Sequence, residues 1–166
     1  LCIPAASLNS YFIPDLSYAY LAGFTEETLK FAAIYFYIRT KTDFDEPMDA
    51  IVYGTLISLG FATLENFQYV YSAGNPDFIA ILRSFTAIPL HACCGIIMGY
   101  YFGLYIFKER DKLNLIKSLF FAIAFHASYN YFATRNILLM FIVLIVLVMF
   151  AKKLHKLLKT EQLSNQ

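Results

Sequence analysis

The chain of 166 residues is 59% hydrophobic and carries a formal net charge of +1, with a mean hydropathy of +0.56, whereas soluble domains are about 45–50% apolar. A chain this short makes one domain, so the apolar excess calls for a solvent other than water. The near-neutral balance gives no sign of a nucleic-acid partner, and Cys2, Cys93 and Cys94 show neither a disulfide framework nor metal-ligand spacing.

Taken in chain order, the first 16 residues are expected to form a loop. The start at Leu1 rather than Met points to a trimmed chain, and no basic stretch marks a cleavable signal peptide. A membrane helix needs about 20 mostly apolar residues. The first such stretch is Ser17–Arg39 and the second Met48–Ser72. The third, Asp77–Phe107, is too long for one straight span and contains Pro89. Proline suits a first helical turn and disfavours helix just before it. A break near Pro89 is therefore expected, with Asp77–Ile88 a separate surface or re-entrant piece. The fourth stretch is Leu115–Ala133 and the fifth Asn136–Ala151, followed by an amphipathic tail over Lys152–Lys159. The expected fold is an all-α, polytopic transmembrane helix bundle of about five spans, in one domain covering 1–166.

Charge orients these spans. Arg39 and Lys41 follow the first; Lys108, Arg110, Lys112 and Lys117 follow the third; Lys152, Lys153, Lys156 and Lys159 follow the fifth. The opposite side carries only Arg83 and Arg135. The positive-inside rule then places the tail and the Lys108–Lys117 loop in the cytoplasm. The first span runs from outside to inside.

Several polar groups lie where apolar ones belong. A charge at membrane depth costs about 2.5–3.5 kcal/mol on insertion scales and marks function by default. The first span carries Glu26, Glu27 and Lys30, the second Glu65 and Asn66, the third His91, the fourth His126 and Asn130. At 1.5 Å per residue, Glu26, Glu65, His91 and His126 share a layer about 10–14 Å below the outer surface. A cluster lets each helix satisfy its polar group with another's. Within helices, Glu26 with Lys30 and His126 with Asn130 stand four apart, on one face. Glu27 lies about 100° round from Glu26, which suggests a different role. His91, Gly95, Gly99 and Gly103 form a further i, i+4 row. It permits close helix packing, or seats an extended substrate backbone.

Residue types leave the chemistry open. A buried carboxylate serves as general base for water attack. Two histidines with one or two glutamates also match a catalytic zinc set, here Glu65, His91 and His126. No His-Glu-x-x-His helix is present, so ligands would come from separate helices. The same groups would equally build a proton relay or cation site in a transporter.

Motif order shifts these odds. Glu26-Glu27-Thr28-Leu29-Lys30 resembles the EExxK motif of the PrsW family of intramembrane proteases. Phe61 to Glu65, followed by Asn66, resembles that family's FxxxE motif with its Asn; His91 to Gly95 resembles HxxxG; His126 to Asn130 resembles HxxxN. All four occur in family order over residues 26–130. The family is similar in outline to the CAAX prenyl protease and bacteriocin-processing families. Those usually carry EExxxR and a second-motif His, where this chain has Lys30 and Glu65. The resemblance implies an intramembrane endopeptidase of the bacterial cytoplasmic membrane. It implies a membrane-anchored protein substrate, typically an anti-sigma factor cut on its extracytoplasmic side. It implies Glu26 and Glu27 as an essential pair with His91, His126, Glu65 and Asn130 as partners, Lys30 and Asn66 in support, and either zinc or glutamate-activated water. Members of that family usually have additional N-terminal helices.

Overall fold

The computed structural model describes residues 1–164, which form α1 (Cys2–Phe12), α2 (Tyr20–Phe36), α3 (Pro47–Ser72), α4 (Pro76–Phe85), α5 (Ala87–Leu104), α6 (Lys112–Ala133) and α7 (Ile137–Ser164). No strand occurs among the described residues. The all-α bundle expected from hydropathy is therefore what the chain adopts.

Local sequence explains the helix boundaries. Pro47 opens α3 with Asp49 bonded back to the Glu46 N–H at 2.9 Å, half of a reciprocal cap. Pro76 opens α4 behind Asn75, whose side chain accepts from Phe78 N–H at 3.2 Å. Asp111 caps α6 by accepting from Leu113 N–H at 2.9 Å. Asn136 accepts from Leu138 and Leu139 N–H at 3.1 and 3.2 Å where α7 begins.

Three expectations change in detail. The first 16 residues are not all loop, because α1 covers Cys2–Phe12 and buries Cys2 and Ala5 against Phe61 and Leu29. The break expected near Pro89 falls at Thr86, where φ is −122° and ψ −63°. Pro89 is then the third residue of α5, in a first turn where an N–H would have no intrahelical partner, so the N–H that proline lacks is not missed. The tail is not a separate piece but the end of α7, because Leu154 and Leu158 extend the buried stripe of Leu144, Leu147 and Ala151. An ion pair between Lys108 and Glu161 ties that end to the rest.

Three helices are long and apolar enough to cross a membrane: Pro47–Ser72, Pro76–Lys108 taken through its bend, and Ile137–Ser164. They expose Leu56, Phe67, Leu138, Ile142, Ile145 and Met149 at their outer surfaces, as lipid-facing helices must. The chain is an integral membrane protein. Among the inner residues, Ile34, Ile97, Met98, Phe102, Ala122 and Leu147 are completely buried.

Backbone contact, not apolar bulk, brings the key helices together. A Cβ added to Gly95 would lie 2.6 Å from Gly54 O, and one on Gly99 would lie 2.6 Å from Ile51 Cα. A Cβ on Gly23 would stand 2.7 Å from Ala127 N. The glycine row of α5 is thus filled by α3, and Gly23 seats α2 on α6. This is the small-residue packing that membrane helices use in place of a hydrophobic driving force. Gly99→Ala should therefore lower the unfolding midpoint in detergent, by about 1–3 kcal/mol for an overpacked contact. Gly60, with nothing within 4 Å of its added Cβ, is the control. Gly60→Ala should be neutral or stabilising by about 0.5–1 kcal/mol, and equal losses at both positions would refute the packing assignment.

Candidate active site

Helix α2 carries three polar residues within five positions that are all buried: Glu26, Glu27 and Lys30. Glu27 Oε1 accepts from Lys30 Nζ at 2.7 Å and from His126 Nδ1, on α6, at 2.7 Å. The ion pair joins residues three apart, so Lys30 compensates Glu27 rather than Glu26. Lys30 Nζ also lies 2.9 Å from His91 Nδ1, on α5, and 4.6 Å from the centre of the Phe61 ring. An ammonium only donates, so His91 Nδ1 accepts and its proton is on Nε2. That proton is given to Glu65 Oε2, on α3, at 2.9 Å. Glu65 Oε2 also accepts from Arg83 Nη2 at 2.7 Å, and Arg83 Nε donates to Asn66 Oδ1 at 2.5 Å.

These bonds form one chain, from Arg83 through Glu65, His91, Lys30 and Glu27 to His126. The rings of His91 and His126 stand edge to face, 4.9 Å apart. Nδ1 of His126 donates to Glu27, so in the neutral ring Nε2 keeps a lone pair, and that nitrogen lies 3.8 Å from Glu26 Oε2. Glu26 Oε1 accepts from Asn9 Nδ2 at 3.2 Å, while Glu26 Oε2 and Glu27 Oε2 are buried without a hydrogen-bond partner among the described residues. A buried carboxylate oxygen with no donor demands an explanation.

A cavity of 630 Å³ opens beside this chain, with Asn9, Glu26, Glu65, Arg83, Tyr129 and Asn130 in its wall. Glu26 and Glu65 are the carboxylates that reach it; Glu27, Lys30 and both histidines stand behind them. Asn130 does not bond to His126: its amide donates to Ala19 O at 3.2 Å, tying α6 to the start of α2.

A metal-ligand set also emerges. Glu26, His91 and His126 each offer an atom within 4.8 Å of the others'. The fit is direct for Glu26, through its unpartnered oxygen, and for His126, through its open Nε2. His91 would exchange one of its two hydrogen bonds for the cation. Glu65, grouped with the histidines on sequence grounds, is instead engaged by Arg83 and His91.

The structure thus brings Glu26, Glu27, Lys30, Glu65, Asn66, His91 and His126 together, with Asn130 on the cavity wall. Sequence reasoning missed Arg83 and Asn9. An arginine within the third apolar stretch, about two turns past an Asn-Pro cap, was a readable signal for the first. Asn9 gave none, since its segment lacks helical periodicity.

Residues 5–152 match the family described as PrsW family intramembrane metalloprotease. Among curated relatives, the chain is 39% identical over 129 residues to Protease PrsW of Bacillus subtilis (strain 168), covering 76% of this chain and 56% of that protein. It is 41% identical over 91 residues to Protease PrsW of Geobacillus kaustophilus (strain HTA426), covering 55% and 40% respectively. It is 30% identical over 140 residues to Protease PrsW of Clostridioides difficile (strain 630), covering 81% and 59%. The chain spans about half the length of the curated relatives it matches. No solved structure matches it.

The buried ion pair makes a prediction about stability. Lys30→Met leaves the Glu27 charge uncompensated and should destabilise the fold by about 3–5 kcal/mol. Lys30→Met with Glu27→Gln removes that charge and should regain most of the loss, read as the unfolding midpoint in detergent. A double variant no better than the single one would show that the pair does not hold α2.

Proposed function

The chain belongs to the PrsW family of intramembrane metalloproteases, and from that premise we propose that it hydrolyses a peptide bond of a membrane-anchored protein near the outer leaflet. The observation that carries this reading is the unpartnered Oε2 of Glu26, a buried residue of the cavity wall, 3.8 Å from His126 Nε2. An oxygen of a cavity-wall carboxylate left without a donor is where an attacking water is held.

Glu26 and Glu27 divide the work. Glu27 Oε1 already holds Lys30 and His126, so it orients His126 and balances Lys30. Glu26 is the base: its Oε2 takes a proton as the water oxygen attacks the peptide carbonyl carbon. The carbon–nitrogen bond then breaks, and the same proton passes to the departing amine. His126 Nε2, kept as an acceptor by Glu27, holds the second proton of that water. Glu65 and Arg83 fix His91, and Asn66 fixes Arg83. A divalent cation such as zinc would be held by Glu26, His91 and His126 in place of those two direct water contacts, and would supply Lewis-acid polarisation and a more acidic water.

The remaining topology follows from charge. We place five spans, including α2 and α6, in a bacterial cytoplasmic membrane, with the Lys108–Lys117 loop and the end of α7 in the cytoplasm. The cavity then faces outward. This fits a single-span substrate, of the anti-sigma-factor kind, cut on its extracytoplasmic side.

Purified protein should cleave a single-span reporter in liposomes, and Glu26→Gln should abolish cleavage, by at least a hundredfold for loss of a general base. Persistent cleavage by Glu26→Gln and by His126→Ala would sink the site. Metal analysis of protein prepared without chelator should find one divalent ion per chain, lost in His126→Ala. Metal-free protein whose cleavage ignores chelators would remove the cation while leaving Glu26 as base.

A further inference from the structure

We propose that Asn9 is a positioning residue, which pins one oxygen of Glu26 so that the other stays free beside His126. The inference rests on the protease reading of the same site. Asn9 belongs to α1, outside every motif that singled out the buried residues, and it stands half-buried in the cavity wall. Its Nδ2 donates to Glu26 Oε1 at 3.2 Å. Its Oδ1 accepts from the hydroxyl of Thr25.

These two bonds fix the amide's orientation. A carboxylate oxygen accepts and never donates, so a flipped amide would set two acceptors against each other at Glu26. Thr25 is the immediate neighbour of Glu26 on α2, so the clamp and the clamped group share one rigid helix. Helix α1 is in turn anchored by Cys2 and Ala5, packed against Phe61 and Leu29.

The last torsion of a glutamate is broad and roughly two-fold. Without Asn9 the buried carboxylate could turn either oxygen, or neither, toward His126. With Oε1 held, Oε2 is the oxygen left facing His126 Nε2 at 3.8 Å. Asn9 therefore selects which Glu26 oxygen meets the water or cation, without touching substrate itself.

Asn9→Leu is close to isosteric and removes only the polar contact. It should lower kcat by about tenfold to a hundredfold, the range for lost outer-shell orientation, with KM unchanged. Thr25→Val should give a smaller loss of the same kind, and no further loss on top of Asn9→Leu. It leaves the packing of α1 alone, so it keeps the question answerable should Asn9→Leu fail to fold. Losses that multiply in the double variant, or a rise in KM in place of a fall in kcat, would overturn the positioning role.

A second readout needs no cleavage. Unfolding midpoints of Asn9→Leu, Glu26→Leu and the double variant should show a combined shift smaller than the sum of the single ones. Purely additive shifts would mean that Asn9 does not hold Glu26. A chain that cleaves no reporter yet keeps this coupling would refute the protease reading while the Asn9–Glu26 bond stands.

Discussion

The bond between Lys30 and Glu27 is the constraint on which the rest of this molecule depends. Both side chains are wholly inaccessible, in a protein whose surroundings offer no water to either charge. Desolvating two such ions costs several kcal/mol each, which their attraction offsets only if the remaining donors and acceptors are also engaged. The pair is therefore extended in both directions. Lys30 gives a second proton to His91 Nδ1, and Glu27 Oε1 takes one from His126 Nδ1. Each histidine, once fixed, commits its other nitrogen: His91 to Glu65, His126 to the vicinity of Glu26. A single buried pair thus dictates the tautomer of both rings and the helices that must surround it.

That constraint separates two glutamates that are neighbours in the chain. About 100° of helical rotation lies between Glu26 and Glu27. It turns one toward the bundle axis, where every donor is already placed, and the other toward the cavity. Glu27 commits Oε1 to Lys30 and His126 and so fixes geometry, while Glu26, on the cavity wall, keeps Oε2 for chemistry. Such a division needs α2 to approach α6 closely, because the Glu27–His126 bond is 2.7 Å long. Gly23, three residues before Glu26, allows that approach by admitting the backbone of Ala127 where a side chain would stand. The site's precision is thus set by backbone contact one turn away from it.

The bundle was legible because the solvent makes it so: apolar stretches of span length leave few options, and the all-α reading followed from them. The participants in the site were legible for the same reason, since Glu26, Glu27, Lys30, Glu65, His91 and His126 each stood out against an apolar background. Their pairing was not. Glu26 and Glu27 stand four and three residues from Lys30, and both spacings put a pair on one helix face. The choice falls to Glu27 through His126 and His91, which arrive from other helices. Asn130 is likewise four from His126, yet it reaches Ala19 across the α2–α6 contact. Helix α1 was illegible because its order comes from Cys2 and Ala5 buried on α2 and α3, not from any periodicity of its own.

Pro89 shows how a local signal acts at a distance from where it is written. In a straight helix, Arg83 and His91 would be separated by eight residues, about 12 Å along the axis. They would then be too far apart to share one carboxylate oxygen comfortably. The proline needs a first turn to sit in, so helix cannot run unbroken through the preceding residues, and the chain turns at Thr86. The turn swings α4 back over α3, where Arg83 Nη2 meets Glu65 Oε2 at 2.7 Å and His91 Nε2 meets the same oxygen at 2.9 Å. Arg83 then lies over the Tyr69 ring at 3.8 Å, with Asn66 holding its Nε. The break is thus what lets a cation from the edge of the bundle balance a carboxylate inside it. With the Glu65 charge balanced by Arg83, His91 meets that carboxylate as a neutral donor rather than as the cation itself.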